Sequence, residues 1–142
     1  MSYRIWLFLA GIAGGTAVAA AAYGAHGLNG VVTFSPTVKM YDTAALFHAL
    51  HAIALTLAAV LLAATDGRRN GFGTALLNLA AAAFLIGIIL FSGGIYYQIA
   101  HNAQAFGRIV PTGGVAFMVG WAALALSAFG FRGAPLETPS VS

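Results

Sequence analysis

Four histidines and one aspartate are the residues of this chain whose side chains could carry out chemistry. His48 and His51 are three residues apart, so on a helix they would project from nearly the same face. Asp42 precedes His48 by six residues, and His26 and His101 are more distant in the chain. Imidazole and carboxylate groups that converge can ligate zinc or copper, hold a haem iron through a histidine pair, or relay protons.

Each of these sites has a structural alternative. A histidine near the end of a transmembrane helix can hydrogen-bond a loop carbonyl and so close the helix end. Asp42 can cap a helix, or it can pair with Lys39, which lies three residues before it. Two histidines at this spacing do not by themselves define a ligand set. The residue types therefore leave a structural polar cluster, a metal or haem site and a proton pathway open, and the structural cluster is the simplest of the three.

Sequence signatures of enzymes are missing. The chain has no cysteine and three acidic residues, and it contains no GxSxG elbow, no phosphate-binding loop and no HExxH motif. The acidic residues also offer no carboxylate in the middle of an apolar run, where an ion-coupled transporter would normally carry one. We expect a protein without enzymatic activity, and we assign no catalytic residue, cofactor or metal.

The composition indicates that the solvent of this chain is a bilayer. Of the 142 residues, 61% are hydrophobic and 6% are charged, whereas a soluble domain carries roughly 25% charged residues. The net charge of +3 comes from scattered basic residues. No basic cluster of the size that nucleic-acid binding needs is present.

Four apolar runs predict an all-α polytopic membrane protein, a bundle of four transmembrane helices in one domain. Each run has about 20 residues, which is enough to cross a hydrocarbon core of ~30 Å. The first run could also be a secretory signal, since it follows Arg4 and ends in an alanine string, but it is longer than a signal core. The predicted spans are residues 5–25, 43–64, 72–92 and 113–131, followed by a short tail at 132–142.

Counting four spans places all four histidines at or near one end of the bundle, which we call the outer end. It is the end at which the first and third helices finish. We therefore expect His26 to share a hydrogen-bonded network with His48 or His51, with His101 nearby. The connections at this end, about 26–42 and 93–112, are longer than the tight turn on the opposite side and are the natural place for contacts with a partner.

Basic residues predict that both termini are cytoplasmic. The side of the bundle that holds the termini has four of them, and the outer side has two, which favours a cytoplasmic location for the termini. The two sets are Arg4, Arg68, Arg69 and Arg132 on the inner side, and Lys39 and Arg108 on the outer side.

Small residues at four-residue spacing predict close helix packing. Gly11, Gly15 and Ala19 form such a row in the first helix, and Ala116 and Gly120 form one in the fourth. Rows of this kind let another helix backbone approach closely. The partner helix can belong to the same bundle, which is the simpler interpretation, or to another polypeptide.

Several motifs resemble a known family of small inner-membrane proteins. They are Tyr23-Gly24-Ala25-His26-Gly27-Leu28, His48 with His51, Leu90-Phe91-Ser92-Gly93-Gly94-Ile95-Tyr96, and Pro111-Thr112-Gly113-Gly114 with Gly120-Trp121. This pattern, which spans most of the chain, resembles the domain of unknown function 423 family, which is similar to the transmembrane protein 256 family. The resemblance implies a bacterial inner-membrane location and four spans, and it suggests that Gly-Ala-His and the histidine pair belong to a shared site. It implies no activity.

These observations favour a non-enzymatic membrane component. The leading hypothesis is an accessory or scaffolding subunit that packs against a larger membrane complex or against copies of itself. The second is a binding protein whose outer histidines hold a metal, haem or quinone head group, and the third is a small transporter.

Overall fold

A computed structural model describes residues 2–27, 36–65, 71–101 and 107–130. Arg68 and Arg69 of the predicted inner turn, and Arg132 with the tail 132–142, lie outside the described residues. So do the middle parts of the two outer connections, residues 28–35 and 102–106.

Four helices account for almost all of the described chain. They are α1 (Tyr3–Gly27), α2 (Pro36–Ala64), α3 (Gly71–His101) and α4 (Val110–Ser127), which a 3-10 turn extends to Gly130. Each is long and apolar enough to cross a membrane. The predicted fold class, an all-α bundle of four transmembrane helices, is confirmed.

Two of the helices are longer than the sequence predicted. α2 begins at Pro36 instead of Thr43, and α3 ends at His101 instead of Ser92. Charged residues separate the apolar runs that define the predicted spans, but a helix that emerges from the hydrocarbon can continue through such residues. At ~1.5 Å per residue, α2 and α3 are roughly 45 Å long, so they tilt or extend beyond the bilayer core.

α3 changes its helical geometry partway along. It is α-helical over Gly71–Gly87, π-helical over Ile88–Gly93, and α-helical again over Gly94–His101. A π-helical turn shifts the face that the following residues present, and such turns are frequent at functional sites. The Gly93-Gly94 pair, which directly follows the end of the predicted third span at residue 92, lies inside this continuous helix.

The helices pack as two hairpins. α1 lies along α2, α4 lies along α3, and α2 and α3 pack against each other in the centre. This order leaves several grooves along the sides of the bundle, and two of them are lined by the buried histidines His48 and His51. One lies between α1 and α3 with α2 beneath it, and the other lies between α2 and α4.

Alanine is the commonest residue of the core, and its largest fully buried apolar side chains are Phe84, Leu55 and Leu77. Half of the apolar stretch of α2 is buried, whereas only 22% of that of α1 is. Between α3 and α4, each helix inserts a phenylalanine over a glycine of the other. A Cβ atom on Gly87 would lie 2.3 Å from the Phe117 ring, and one on Gly120 would lie 2.6 Å from the Phe84 ring.

Candidate functional site

His48 and His51 lie near the middle of α2 and not at its outer end. His51 is close to the midpoint of this 29-residue helix, because α2 begins at Pro36. Both side chains are buried, with 6% and 5% of their surface exposed. Ionisable residues at this depth in a membrane are costly and usually have a specific role. The expectation that they lie at the bundle end is therefore wrong.

His51 is enclosed by aromatic rings. Its imidazole stacks on Phe117 with 3.5 Å between ring centroids, and Phe47, Phe84 and Trp121 surround it at 5.7 to 6.2 Å. Nδ1 lies 2.8 Å from the Phe47 carbonyl, and the Trp121 indole N–H donates to Nε2 over 3.2 Å. We call this group the His51 site.

The partners of His51 fix its protonation. A carbonyl oxygen only accepts and an indole N–H only donates, so Nδ1 carries the proton and Nε2 presents its lone pair to Trp121. Both ring nitrogens are then satisfied in a neutral imidazole. A metal ion on Nε2 would displace the Trp121 bond. The geometry of the His51 site is that of a structural tie between α2 and α4.

His48 is held more loosely. Its Nε2 lies 3.4 Å from Thr16 Oγ1 on α1 and also faces the Ala13 carbonyl of that helix, and its Nδ1 lies 3.5 Å from the Tyr96 hydroxyl on α3. Both distances are at the long end for hydrogen bonds. We call these three residues the His48 site.

The hydroxyl of Thr16 also fixes the tautomer of His48. Its hydrogen is directed to the carbonyls of Ile12 and Ala13 in its own helix, at 2.9 and 3.1 Å. Thr16 Oγ1 therefore accepts from His48, and Nε2 carries the proton. Nδ1 is left as an acceptor, and the Tyr96 hydroxyl is the donor that faces it.

The π-helical turn of α3 supports the His48 site. Ser92, which is fully buried, donates to the Ala44 carbonyl of α2 over 2.9 Å. Tyr96 follows Ser92 by four residues, and its ring packs 5.0 Å from that of Tyr41. Tyr41 in turn donates to the Ala20 carbonyl of α1 over 2.9 Å. These bonds tie α3 and α1 to α2 around His48.

The other predicted polar residues lie apart from these two sites. His26 is exposed at the end of α1, and Asp42 is exposed inside α2, where it does not cap the helix. His101 is exposed at the end of α3, with Nδ1 3.2 Å from the Tyr97 carbonyl and its ring stacked on that of Tyr97.

The predicted convergence of the histidines is not observed. Between the described residues, no hydrogen bond joins His26 to His48 or His51, and none joins His48 to His51. His48 faces α1 and α3, whereas His51 faces α4. Among residues 2–27, 36–65, 71–101 and 107–130, no three histidine or acidic side chains are grouped closely enough to hold a metal ion.

The two small-residue rows have different surroundings. Gly120 is buried against Phe84 inside the bundle, and Ala116 is half-buried. Gly11, Gly15 and Ala19 are exposed, and a Cβ atom on either glycine would meet no atom of the described residues within 4 Å. The row in α1 therefore does not pack inside the bundle, contrary to the simpler interpretation of the sequence.

Comparison with known proteins identifies the family. Residues 20–114 match the model of the family described as "Protein of unknown function (DUF423)". The chain belongs to this family. The matched segment contains His26, Asp42, His48, His51 and His101.

The DUF423 relatives are bacterial proteins named as membrane proteins. A UPF0382 membrane protein of Staphylococcus aureus (strain bovine RF122 / ET3-1) is 31% identical over 92% of this chain and 99% of its own. The UPF0382 membrane protein YwdK of Bacillus subtilis (strain 168) is 30% identical over 88% of this chain and 96% of its own. A UPF0382 membrane protein of Haemophilus influenzae (strain ATCC 51907 / DSM 11121 / KW20 / Rd) is 34% identical over 87% of this chain and 93% of its own. No solved structure matches the chain significantly.

Sequence reasoning missed the partners of the two buried histidines. Tyr96 falls in the predicted connection 93–112, Trp121 belongs to a motif of the family resemblance, and Thr16 has no predicted role. One feature of the sequence could have identified these partners. A buried imidazole in an apolar span needs a hydrogen-bond donor or acceptor on a neighbouring helix. Hydroxyl and indole groups within the apolar runs are the candidates for that role.

Proposed function

We propose that this DUF423 protein is a non-enzymatic accessory or scaffolding subunit of the bacterial inner membrane. It associates through α1 with a helix of another polypeptide, which is either a second copy of the chain or a subunit of a larger complex. The observation that carries the proposal is the exposed row of Gly11, Gly15 and Ala19, which the bundle leaves without a neighbour.

The geometry of α1 supports an interface on this side. At 3.6 residues per turn, the row lies opposite the buried face formed by Ala10, Ala13 and Ala17. One face of α1 thus packs on α2, and the other faces away from the bundle. Large side chains flank the row, with Phe8 68% and Val18 71% exposed. A groove of small residues between large ones fits a helix of complementary shape.

The physical reason is that burial of apolar surface supplies no driving force for helix association inside lipid. Lipid solvates a glycine-lined helix face as well as it solvates leucine, so apolarity alone does not bring helices together. Close approach of two backbones adds dispersion contacts that a disordered lipid tail does not match. In α4 the corresponding row is already occupied by α3, so α1 is the helix that offers this surface.

Leucine substitution tests the proposal. Because nothing lies within 4 Å of a Cβ atom at Gly15, Gly15→Leu should leave the bundle intact and weaken association. The matched control is Ala122→Leu, which enlarges an exposed small residue of α4. Native electrophoresis and analytical ultracentrifugation in mild detergent measure association, and thermal unfolding of the isolated protein measures bundle stability.

Disulfide trapping identifies the partner, since the chain has no cysteine of its own. In a symmetric homodimer the same surface meets itself, so Gly11→Cys should cross-link two copies while Ala122→Cys should not. Co-purification of a different membrane protein, lost in Gly15→Leu, would instead identify a larger complex. A wild-type protein that runs as a monomer at every concentration and co-purifies with no other protein would contradict the proposal.

A further inference from the structure

The groove between α1 and α3 combines apolar walls with one polar end. Its volume is about 380 Å³, which is within the range of roughly 300–1,000 Å³ of small-molecule sites. α1 and α3 both run toward the outer end of the bundle, and Thr16 and Tyr96 are the last residues of these helices that line the groove. The His48 site therefore lies at the outer end of the groove. The lining residues are Leu9, Ile12, Ala13, Thr16, His48, Leu85, Ile88, Ile89, Gly93 and Tyr96.

The groove opens toward lipid. Ile12 and Ile89 line it and are 49% and 59% exposed. Nearer the inner end of the bundle, the Trp6 indole donates to Asn78 over 2.8 Å and ties α1 to α3 there. From Leu85 to Tyr96 the groove wall is about 16 Å long at ~1.5 Å per residue. This length suits a hydrocarbon chain of moderate size that enters from the bilayer.

The contrast between the two buried histidines points to a ligand at His48. His51 has bonds of 2.8 and 3.2 Å and is enclosed by aromatic rings. His48 is equally buried; its Nε2 faces Thr16 Oγ1 at 3.4 Å and the Ala13 carbonyl of α1, whereas among the described residues its Nδ1 faces the Tyr96 hydroxyl alone, at 3.5 Å. In a hydrocarbon environment a weakly satisfied polar group is costly. A group that bonds to His48 and Tyr96 together would lower that cost.

The donor and acceptor pattern selects the chemical class of that group. Nδ1 of His48 is an acceptor, and the Tyr96 hydroxyl is a donor. A hydroxyl can donate to the first while it accepts from the second. A ketone or quinone carbonyl only accepts, so it would leave His48 without a partner, and a charged head group would be costly to desolvate at this depth.

We propose that the α1/α3 groove binds a hydroxyl-bearing lipid. Its hydroxyl donates to His48 Nδ1 and accepts from the Tyr96 hydroxyl, which move apart from their present 3.5 Å to admit it, and its hydrocarbon tail lies along the aliphatic walls toward the inner end. The hydroxyl can come from a long-chain alcohol or from a quinol. This site goes beyond the proposed α1 interface, since the exposed row of Gly11, Gly15 and Ala19 is on a different face of α1.

Binding is tested on the full-length protein in lipid nanodiscs. The probes are dodecan-1-ol and a decyl-substituted benzoquinol. The controls are methyl dodecyl ether and the corresponding decyl benzoquinone, which keep the tails but cannot donate. The ¹⁵N chemical shift of His48 Nδ1 is the readout, and the signals of His51 are an internal control that should not move. An alcohol or a quinol should bind about 3- to 10-fold tighter than its non-donating control, the effect of one hydrogen bond.

Two variants separate a specific site from a lipid-filled crevice. Tyr96→Phe removes one hydroxyl and should weaken binding of the hydroxyl probes about 3- to 10-fold, while Tyr97→Phe on the next residue should not. Gly93→Leu fills the groove, since the nearest atom to its Cβ position is the Ile88 carbonyl oxygen at 3.7 Å, and it should abolish binding. The probe that binds more tightly, alcohol or quinol, identifies the source of the hydroxyl.

Two results would overturn the proposal. The first is equal binding of each hydroxyl probe and its control, which would mean that the groove accepts any lipid tail. The second is a His48 signal that responds to no probe, which would leave the long contacts as a property of the bundle alone.

Discussion

At the scale of single residues, two histidines on one helix have different roles because of a small angular difference. Residues three apart on a helix differ by about 60° in direction. On a helix that lies between α1, α3 and α4, this angle is enough to direct His48 toward α1 and α3 and His51 toward α4. The sequence showed that the two residues share a side of α2. It could not show which neighbours that side meets, since this depends on the order of the helices.

The His51–Trp121 bond should contribute measurably to the stability of the bundle. A double-mutant cycle with His51→Leu and Trp121→Phe should give a coupling free energy of about 0.5–1.5 kcal/mol, in line with hydrogen bonds between transmembrane helices. Equilibrium unfolding in mixed micelles measures it. A second cycle that combines Trp121→Phe with His48→Leu is the control, and its coupling should be near zero. Equal couplings in the two cycles would contradict the pairing of Trp121 with His51.

At the scale of helices, the existence of the four spans could be predicted and their ends could not. Apolar runs of about 20 residues are a direct consequence of bilayer thickness. Helix ends depend on local backbone satisfaction outside the hydrocarbon, where Lys39 and Asp42 are tolerated within α2. The π-helical turn of α3 has no clear sequence signal. Its residues contact α2 through Ser92 and α4 through Phe91, and such contacts are defined only in the assembled bundle.

α3 and α4 approach each other closely where Gly113 of α4 faces the backbone of α3. A Cβ atom on Gly113 would lie 2.4 Å from the amide nitrogen of Phe91, in the π-helical turn. Backbone cannot move aside as a side chain can, so Gly113→Ala should lower the free energy of unfolding by about 1–3 kcal/mol. Thermal or denaturant unfolding of the purified protein measures the change.

The adjacent glycine provides a matched control for this prediction. A Cβ atom on Gly114 would have Phe91 Cδ2 as its nearest neighbour, at 3.9 Å, which is an ordinary contact. Gly114→Ala should therefore leave stability unchanged or raise it by up to about 1 kcal/mol through helix propensity. Similar losses in the two variants would mean that α3 and α4 do not approach as described.

At the scale of the whole molecule, the four helices differ in how much of their surface is buried inside the bundle. α2 and α3 supply the buried centre, while α1 is the least buried helix and presents its small-residue row outward. The sequence identified the row but assigned it first to the bundle. That choice could not be settled without the structure, because Ala10, Ala13 and Ala17 offer α1 an equally small face on the other side.

The orientation of the bundle in the membrane is also a property of the whole molecule, and we expect both termini to lie in the cytoplasm. Four crossings place the two termini on one side, and the basic residues are divided four to two in favour of that side. Single cysteines introduced into the cysteine-free chain at positions 33, 70 and 105 test this expectation in intact cells. A membrane-impermeant thiol reagent added outside should label positions 33 and 105, and position 70 should react only after the membrane is permeabilised. Labelling of position 70 in sealed cells, with protection of the other two, would reverse the orientation while leaving the four-helix fold intact.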